Sequence, residues 1–211
     1  MPSDDFMERA DDEREMTAIA DDIDDLDDDH ADEEDTDTVT FASLGLPEEI
    51  LAAVTDMGFR VPTPIQAAAI PPLLELRDVV GIAQTGTGKT AAFGLPLLAI
   101  VDADERDVQA LVLAPTRELA MQSAQAIEDF AARTARLDVV PVYGGSPYGP
   151  QIGALKRGAQ VVVGTPGRVI DLIEKGALDL SNVRMLVLDE ADEMLRMGFA
   201  EDVETIASSA P

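Results

Sequence analysis

The octapeptide Ala83–Thr90, A-Q-T-G-T-G-K-T, decides how the rest of the chain is read. It follows the apolar run Asp78-Val79-Val80-Gly81-Ile82, which predicts a buried strand. From Lys89 to about Val101 the chain is rich in Ala and Leu and reads as a helix. Strand, glycine turn and helix in that order build a phosphate cradle. Backbone N–H groups around Gly86 and Gly88 can close on an anion because glycine has no Cβ, and the helix N-terminus adds its positive dipole end. In such a cradle Thr85, Gly86, Thr87 and Gly88 wrap the phosphates, Lys89 reaches the β- and γ-phosphates, and the Thr90 hydroxyl ligates Mg²⁺. The general pattern opens on glycine, whereas this one opens on Ala83. The loop alone therefore leaves open a Gly/Thr turn that merely precedes a helix.

Composition narrows the setting. The chain has 211 residues, 46% of them hydrophobic, enough for one well-buried core. It has no cysteine, which excludes disulfides and Cys-based zinc sites. The acidic N-terminus does not resemble a secretory signal. The longest uncharged apolar run, Thr90 to Val101, is broken by Gly94 and Pro96 and is too short to span a bilayer. A soluble, cytoplasmic protein is expected. The net charge of −27 is uneven: residues 1–38 hold 19 acids and two arginines, leaving −10 for the other 173 residues. So acidic a chain is a poor candidate for generic electrostatic attraction to nucleic acid, and any such site must be built from a few placed groups.

Residues 1–38 are Asp-dominated and read as a disordered acidic tail, either a solvated solubility segment or a mimic of nucleic-acid charge. His30 in this tail has no metal-ligand partner at useful spacing. Order is expected over 39–211. Ile50, Leu51, Val54 and Met57 mark a helix from Pro47 to Met57, with Pro47 at its first position and Gly58 ending it. A second helix is expected from about Pro64 to Leu74. Its Gln66 either faces solvent or offers the paired donor and acceptor that match the N6/N7 edge of adenine.

Further along, Gln109–Ala114, Asp138–Tyr143, Ala159–Val163 and Val183–Leu188 read as strands. Helices are expected from Pro115 to about Ala135, from Pro150 to Arg157, and from Gly167 or so through Lys175. Alternating strands and helices mean a parallel sheet with helices on both faces. Ligands of such sheets lie at the carboxyl ends of the strands. The phosphate loop, Pro115–Ala120, Gly144-Gly145, Gly164–Arg168 and Asp189–Asp192 all fall just past strand ends, so they converge on one edge.

Asp189 leaves the apolar run Met185–Leu188, well placed to hold Mg²⁺ beside a phosphate loop. Glu190 can polarise the water that attacks the γ-phosphorus. Adjacent acids at a strand-to-helix turn are also common as caps. Together with a phosphate loop about 100 residues upstream in the same sheet, they describe a nucleotide hydrolysis site.

These stretches resemble the first RecA-like domain, a P-loop NTPase fold, of a DEAD-box ATP-dependent RNA helicase, with a bacterial cold-shock-helicase flavour. Asp189–Asp192 spells the family's name, and Ala83–Thr90 matches its loop, in which a first-position Ala is usual. Gly58–Gln66 resembles its adenine-recognising motif, and Phe41 lies 17 residues before Gly58, where the family has an isolated aromatic. Pro115–Ala120, Gly144-Gly145 and Thr165–Arg168 resemble its RNA-contacting motifs. The resemblance implies that Phe59 stacks on adenine and Gln66 reads its edge. It implies that Lys89, Thr90, Asp189 and Glu190 serve ATP and Mg²⁺, and that Asp192 couples hydrolysis to strand separation. Thr116, Arg117, Gly145, Thr165 and Arg168 would hold the backbone of single-stranded RNA, without sequence preference.

Two parts of the family pattern are not found. The Ser-Ala-Thr motif expected after the helix near Glu201 is not supplied by Ser208-Ser209-Ala210-Pro211. The second RecA-like domain, with an arginine finger that in such enzymes contributes about 10³–10⁵ in rate, is missing. Three readings follow: a piece of an RNA helicase, completed by its second domain or by a protein partner; a nucleotide- and RNA-binding module without turnover; or a related helicase acting on DNA. Gly58–Gln66 together with Asp189–Asp192 disfavours the last.

Overall fold

Four strands carry the frame, and their sequences explain why. They read A-L-V-L (β1, Ala110–Leu113), V-V-P-V (β2, Val139–Val142), V-V-V-G (β3, Val161–Gly164) and M-L-V-L (β4, Met185–Leu188). Uninterrupted apolar strands suit a parallel sheet covered on both faces. The computed structural model, which describes residues 39–84, 86–132 and 137–211, has all four parallel in the order β2-β3-β1-β4. The acidic stretch 1–38, His30 and Thr85 lie outside the described residues.

A 3-10 turn at Phe41–Leu44 is followed by α1 (Glu48–Asp56), α2 (Pro64–Leu74) and α3 (Lys89–Ile100). Between the strands run α4 (Arg117–Ala131), α5 (Tyr148–Lys156) and α6 (Pro166–Glu174). After β4 come α7 (Ala191–Arg196) and α8 (Ala200–Ala207). The period-2 alternation of each strand divides the core. Ala110, Val112, Val161 and Val163 meet Ile50, Ile70, Leu95, Ile127 and Phe130 from α1 to α4. Leu111, Leu113, Val140, Val142 and Val162 meet Leu155, Leu172, Met194 and Ile206 from the later helices. The expected RecA-like α/β layering is therefore present.

One expected strand is not. Residues 78–82 form no ladder, and Val80 and Ile82 stand 94% and 96% exposed. An apolar run becomes a strand only when a neighbour offers its free main-chain groups. Among the described residues β4 ends the sheet on that side, and this segment does not join it. It passes instead over α2, where a Cβ on Gly81 would lie 3.2 Å from Ile65. Glycine at its centre also weakens any strand preference. Smaller differences concern ends: Pro47 caps α1 rather than opening it, α4 stops at Ala131, and α5 starts at Tyr148.

At the opposite margin, β2 accepts bonds from β3 at Asp138 and Val142, so its odd-numbered residues turn their main-chain groups outward. Pro141 sits at the middle of that outward row and has no N–H to give.

Candidate functional site

All strands being parallel, the segments that follow β1 to β4 emerge on one edge. The decisive contact there joins residues 101 apart: Lys89 Nζ donates to Glu190 Oε1 at 2.6 Å, with both side chains about a quarter exposed. The phosphate loop and the D-E-A-D turn thus share one site. Glu190 caps α7 from a left-handed conformation, φ 51° and ψ 49°. For a residue with a Cβ this costs roughly 1–2 kcal/mol. From there its carboxylate meets Lys89.

Asp189 is buried, 7% exposed, and its carboxyl is pushed above the ordinary carboxylate range. Loss of solvent is the main cause and the charge of Glu190 adds to it. The Ser123 hydroxyl, the charge of Lys89 and the Glu190 N–H pull the other way. Ser123 Oγ donates to Asp189 Oδ2 at 3.1 Å, and both partners are buried. Ser123 carried no signal in the sequence, because a serine on an amphipathic helix is usually unremarkable.

The loop's glycines are required by geometry. Gly86 and Gly88 have φ of 80° and 86°, which favour glycine. At Gly88 a Cβ would come within 2.3 Å of Gln66 Nε2. Thr87 Oγ1 donates to the Gln84 carbonyl at 2.6 Å, tightening the turn. Gly88 caps α3 without a side-chain acceptor, so the first amides of that helix remain available to an anion. Lys89 and Thr90 open the helix, both partly buried.

Gln66 is 1% exposed and inside the fold. Its Oε1 accepts from the Thr63 N–H at 2.9 Å and its Nε2 donates to the Gly88 carbonyl at 3.1 Å. In this conformation the amide ties the Gly58–Gln66 stretch to the phosphate loop and does not turn outward. Beside it, Thr63 caps α2 in a capping box with Gln66, its Oγ1 buried. Phe59 is at the surface and meets Phe41 and Phe130 edge-on, with ring centroids 6.2 and 6.3 Å away. Phe41 therefore acts as a buttress behind Phe59.

The expected RNA-contacting residues line the same edge. Thr116 caps α4 and accepts from the Leu119 N–H at 3.2 Å. The exposed Arg117 lays its guanidinium over Tyr143, 4.7 Å from the ring centre. Gly145 turns at φ 75° with open space where a Cβ would go. Thr165 caps α6. Arg168 departs from the reading as a direct contact. It is 7% exposed, and Nη1 and Nη2 both donate to the Ser146 carbonyl at 3.0 Å. Nη1 also donates to Gln151 Oε1 at 3.0 Å. Its guanidinium stacks 4.1 Å from the Tyr148 ring centre, and Nε, buried without a hydrogen bond, lies 3.9 Å from Asp171. Arg168 holds the Gly144–Ser146 turn from beneath. Asp192 faces outward and pairs with Arg196 at 3.0 Å. Tyr143 and Tyr148, the chain's two tyrosines, were not singled out from sequence, yet each carries a cation on its ring.

Residues 63–211 match the model of the DEAD/DEAH box helicase family. The chain belongs to that family. It is 59% identical over 176 residues to the ATP-dependent RNA helicase DeaD of Haemophilus influenzae, covering 83% of this chain and 29% of the relative. Against the Escherichia coli protein of the same name the identity is 58% over 172 residues, covering 82% and 27%. The DEAD-box fold is seen directly in a crystal structure of a DEAD box protein from Methanococcus jannaschii. It superposes with a TM-score of 0.78 at 46% identity, over 82% of this chain and 47% of that one. A hypothetical ATP-dependent RNA helicase from Sulfolobus tokodaii gives 0.71 at 41%, over 78% and 47%. This DEAD/DEAH box chain thus spans less than a third of the length of those curated relatives.

Proposed function

We propose that the chain is the nucleotide-binding domain of an ATP-dependent RNA helicase, taking up ATP with Mg²⁺ and the backbone of single-stranded RNA at neighbouring parts of one sheet edge. The observation that carries this is the Lys89–Glu190 pair, which brings the phosphate loop against the acidic turn. Among the described residues no group of three or more His, Cys, Asp or Glu could hold a metal by itself. That suits Mg²⁺, which keeps several waters and is bound through one or two carboxylates plus substrate phosphates. The buried Asp189 carboxylate and the Thr90 hydroxyl at the start of α3 are the donors that fit it. When bound, the metal neutralises charge that develops on the phosphates.

The chain's own residues then have distinct work. The amides at the start of α3 receive the phosphate oxygens, and Lys89 exchanges Glu190 for the β- and γ-phosphates. That exchange frees Glu190 to orient a water against the γ-phosphorus and take its proton. The Thr63 hydroxyl lies beside the loop, 3.4 Å from where a Cβ on Gly88 would stand, and Phe59 at the surface offers a ring face for an adenine. Gln66 reads that base only after releasing the Gly88 carbonyl. Along the same edge Thr116, Arg117, Gly145 and Thr165 offer an RNA strand hydroxyls, one exposed guanidinium and main-chain N–H groups. Such contacts grip backbone and ignore sequence. Coupling of hydrolysis to duplex separation belongs to the whole helicase, whose compartment we take to be the cytoplasm. No described helix is long and apolar enough to cross a membrane.

The test is binding of a fluorescent ADP analogue to this chain and to Lys89→Ala. We expect weak, Mg²⁺-dependent binding that the variant loses, trace ATPase, and no unwinding. Equal binding by the variant, or none by either protein, overturns the assignment.

A further inference from the structure

We infer that Ser123 is a positioning residue for the metal-holding carboxylate, linking the helix that begins at the RNA-facing edge to the nucleotide site. The inference rests on the proposed nucleotide reading and deepens it. Ser123 lies on α4, 1% exposed, with Oγ donating to Asp189 Oδ2 at 3.1 Å. No other described side chain is hydrogen-bonded to that carboxylate. A carboxylate without a fixed donor can rotate about its side-chain torsions. A donor set on a helix packed into the core removes that freedom. The hydroxyl has no competing partner, and its helix is anchored beside it by Ala120, Ala124 and Ile127.

The location gives the contact its second meaning. Six residues before Ser123, α4 begins at Arg117, whose guanidinium lies on Tyr143, with Thr116 as the cap. Tyr143 leads directly into Gly144-Gly145. A strand of RNA that engages Thr116 and Arg117 therefore pulls on the same rigid helix that orients Asp189. Residues that orient a metal ligand typically contribute 10–100-fold to metal affinity.

The experiment titrates Mg²⁺ against a fixed concentration of fluorescent ADP analogue, using wild type, Ser123→Ala and Ser123→Cys of the full chain. Affinity in EDTA is measured alongside. We expect Ser123→Ala to raise the Mg²⁺ midpoint about tenfold or more while binding in EDTA stays within twofold. Ser123→Cys, which keeps a weak donor of similar size, falls between. A merely structural role would lower both affinities together. Should Ser123→Ala fail to fold, as judged by its melting curve, a Cys variant with a wild-type midpoint refutes the inference. An unchanged midpoint in a folded Ala variant does the same. If wild type shows no Mg²⁺ dependence, the nucleotide reading fails and takes this inference with it, an outcome distinct from the first two.

Discussion

Replacing Arg168 with lysine separates two ways in which a cation can serve RNA. If Arg168 met phosphate directly, lysine would preserve the charge and most of the binding. The structure instead has its guanidinium bridging the Ser146 carbonyl and Gln151 Oε1 through three bonds at 3.0 Å. A lysine ammonium lacks the planar fork and can reach only one of those acceptors well. Two bonds are lost, and bonds from a charged donor contribute about 1.5–3 kcal/mol each, so Arg168→Lys should cost about 3–6 kcal/mol. Arg168→Ala also removes the stack on Tyr148, adding about 0.5–1 kcal/mol. Urea denaturation reads both losses of stability. Anisotropy of a labelled single strand across a salt series reads RNA binding. Both variants should weaken RNA binding, by loosening the Gly144–Ser146 turn, with the slope of log K against log salt unchanged. A direct contact predicts the reverse: Arg168→Lys near wild type, and Arg168→Ala stable but with its slope shallower by about 0.7. That second pattern would falsify the clamp.

Three further substitutions probe the nucleotide side. In a two-domain helicase carrying this chain, Glu190→Gln should keep nucleotide binding but lower RNA-stimulated hydrolysis by about 10²–10⁴, as loss of a general base does; normal turnover in a phosphate-release assay would remove Glu190 from that role. Gly88→Ala meets a left-handed penalty and the Gln66 amide, together about 2–3 kcal/mol, which should depress the melting temperature by roughly 5–10 °C. A melt unchanged to within a degree contradicts the close approach of Gln66. For Asp189, the folded carboxyl holds its proton more tightly than the unfolded one. Stability is therefore lost as pH rises from the ordinary carboxylate range through the raised value, and the ionised form is a burden at neutral pH. Asp189→Asn should melt higher than wild type at neutral pH, with the gap closing as pH falls into the carboxylate range. A variant that melts lower at neutral pH runs against that sign.

Much of this was legible in the residues themselves. Four all-apolar strands between helical stretches fixed the parallel layering, because a strand buried on both faces leaves little other choice. The glycine spacing of Ala83–Thr90 and the acids after Leu188 located the site, since their chemistry depends on local order along the chain. What escaped was the direction of side chains. Gln66 and Arg168 looked like outward recognition groups, but each is buried and donates to a carbonyl inside the fold, Gly88 for one and Ser146 for the other. Ser123 acquires meaning only through Asp189, 66 positions away. The 78–82 run misled because hydrophobicity records a tendency to leave water, and says nothing of which neighbour will provide the shelter.

The two borders of the sheet are defended unequally. On the β2 side the missing amide at Pro141 discourages another chain from lengthening the ladder. On the β4 side there is no such guard: Leu188 is 41% exposed, and Val80 and Ile82 stand in solvent nearby in sequence to the loop. Mutual repulsion from a net charge of −27 keeps molecules apart in dilute buffer. Ionic strength near 0.15 M shortens its reach to about 8 Å, so added salt should make this polypeptide stickier rather than more soluble.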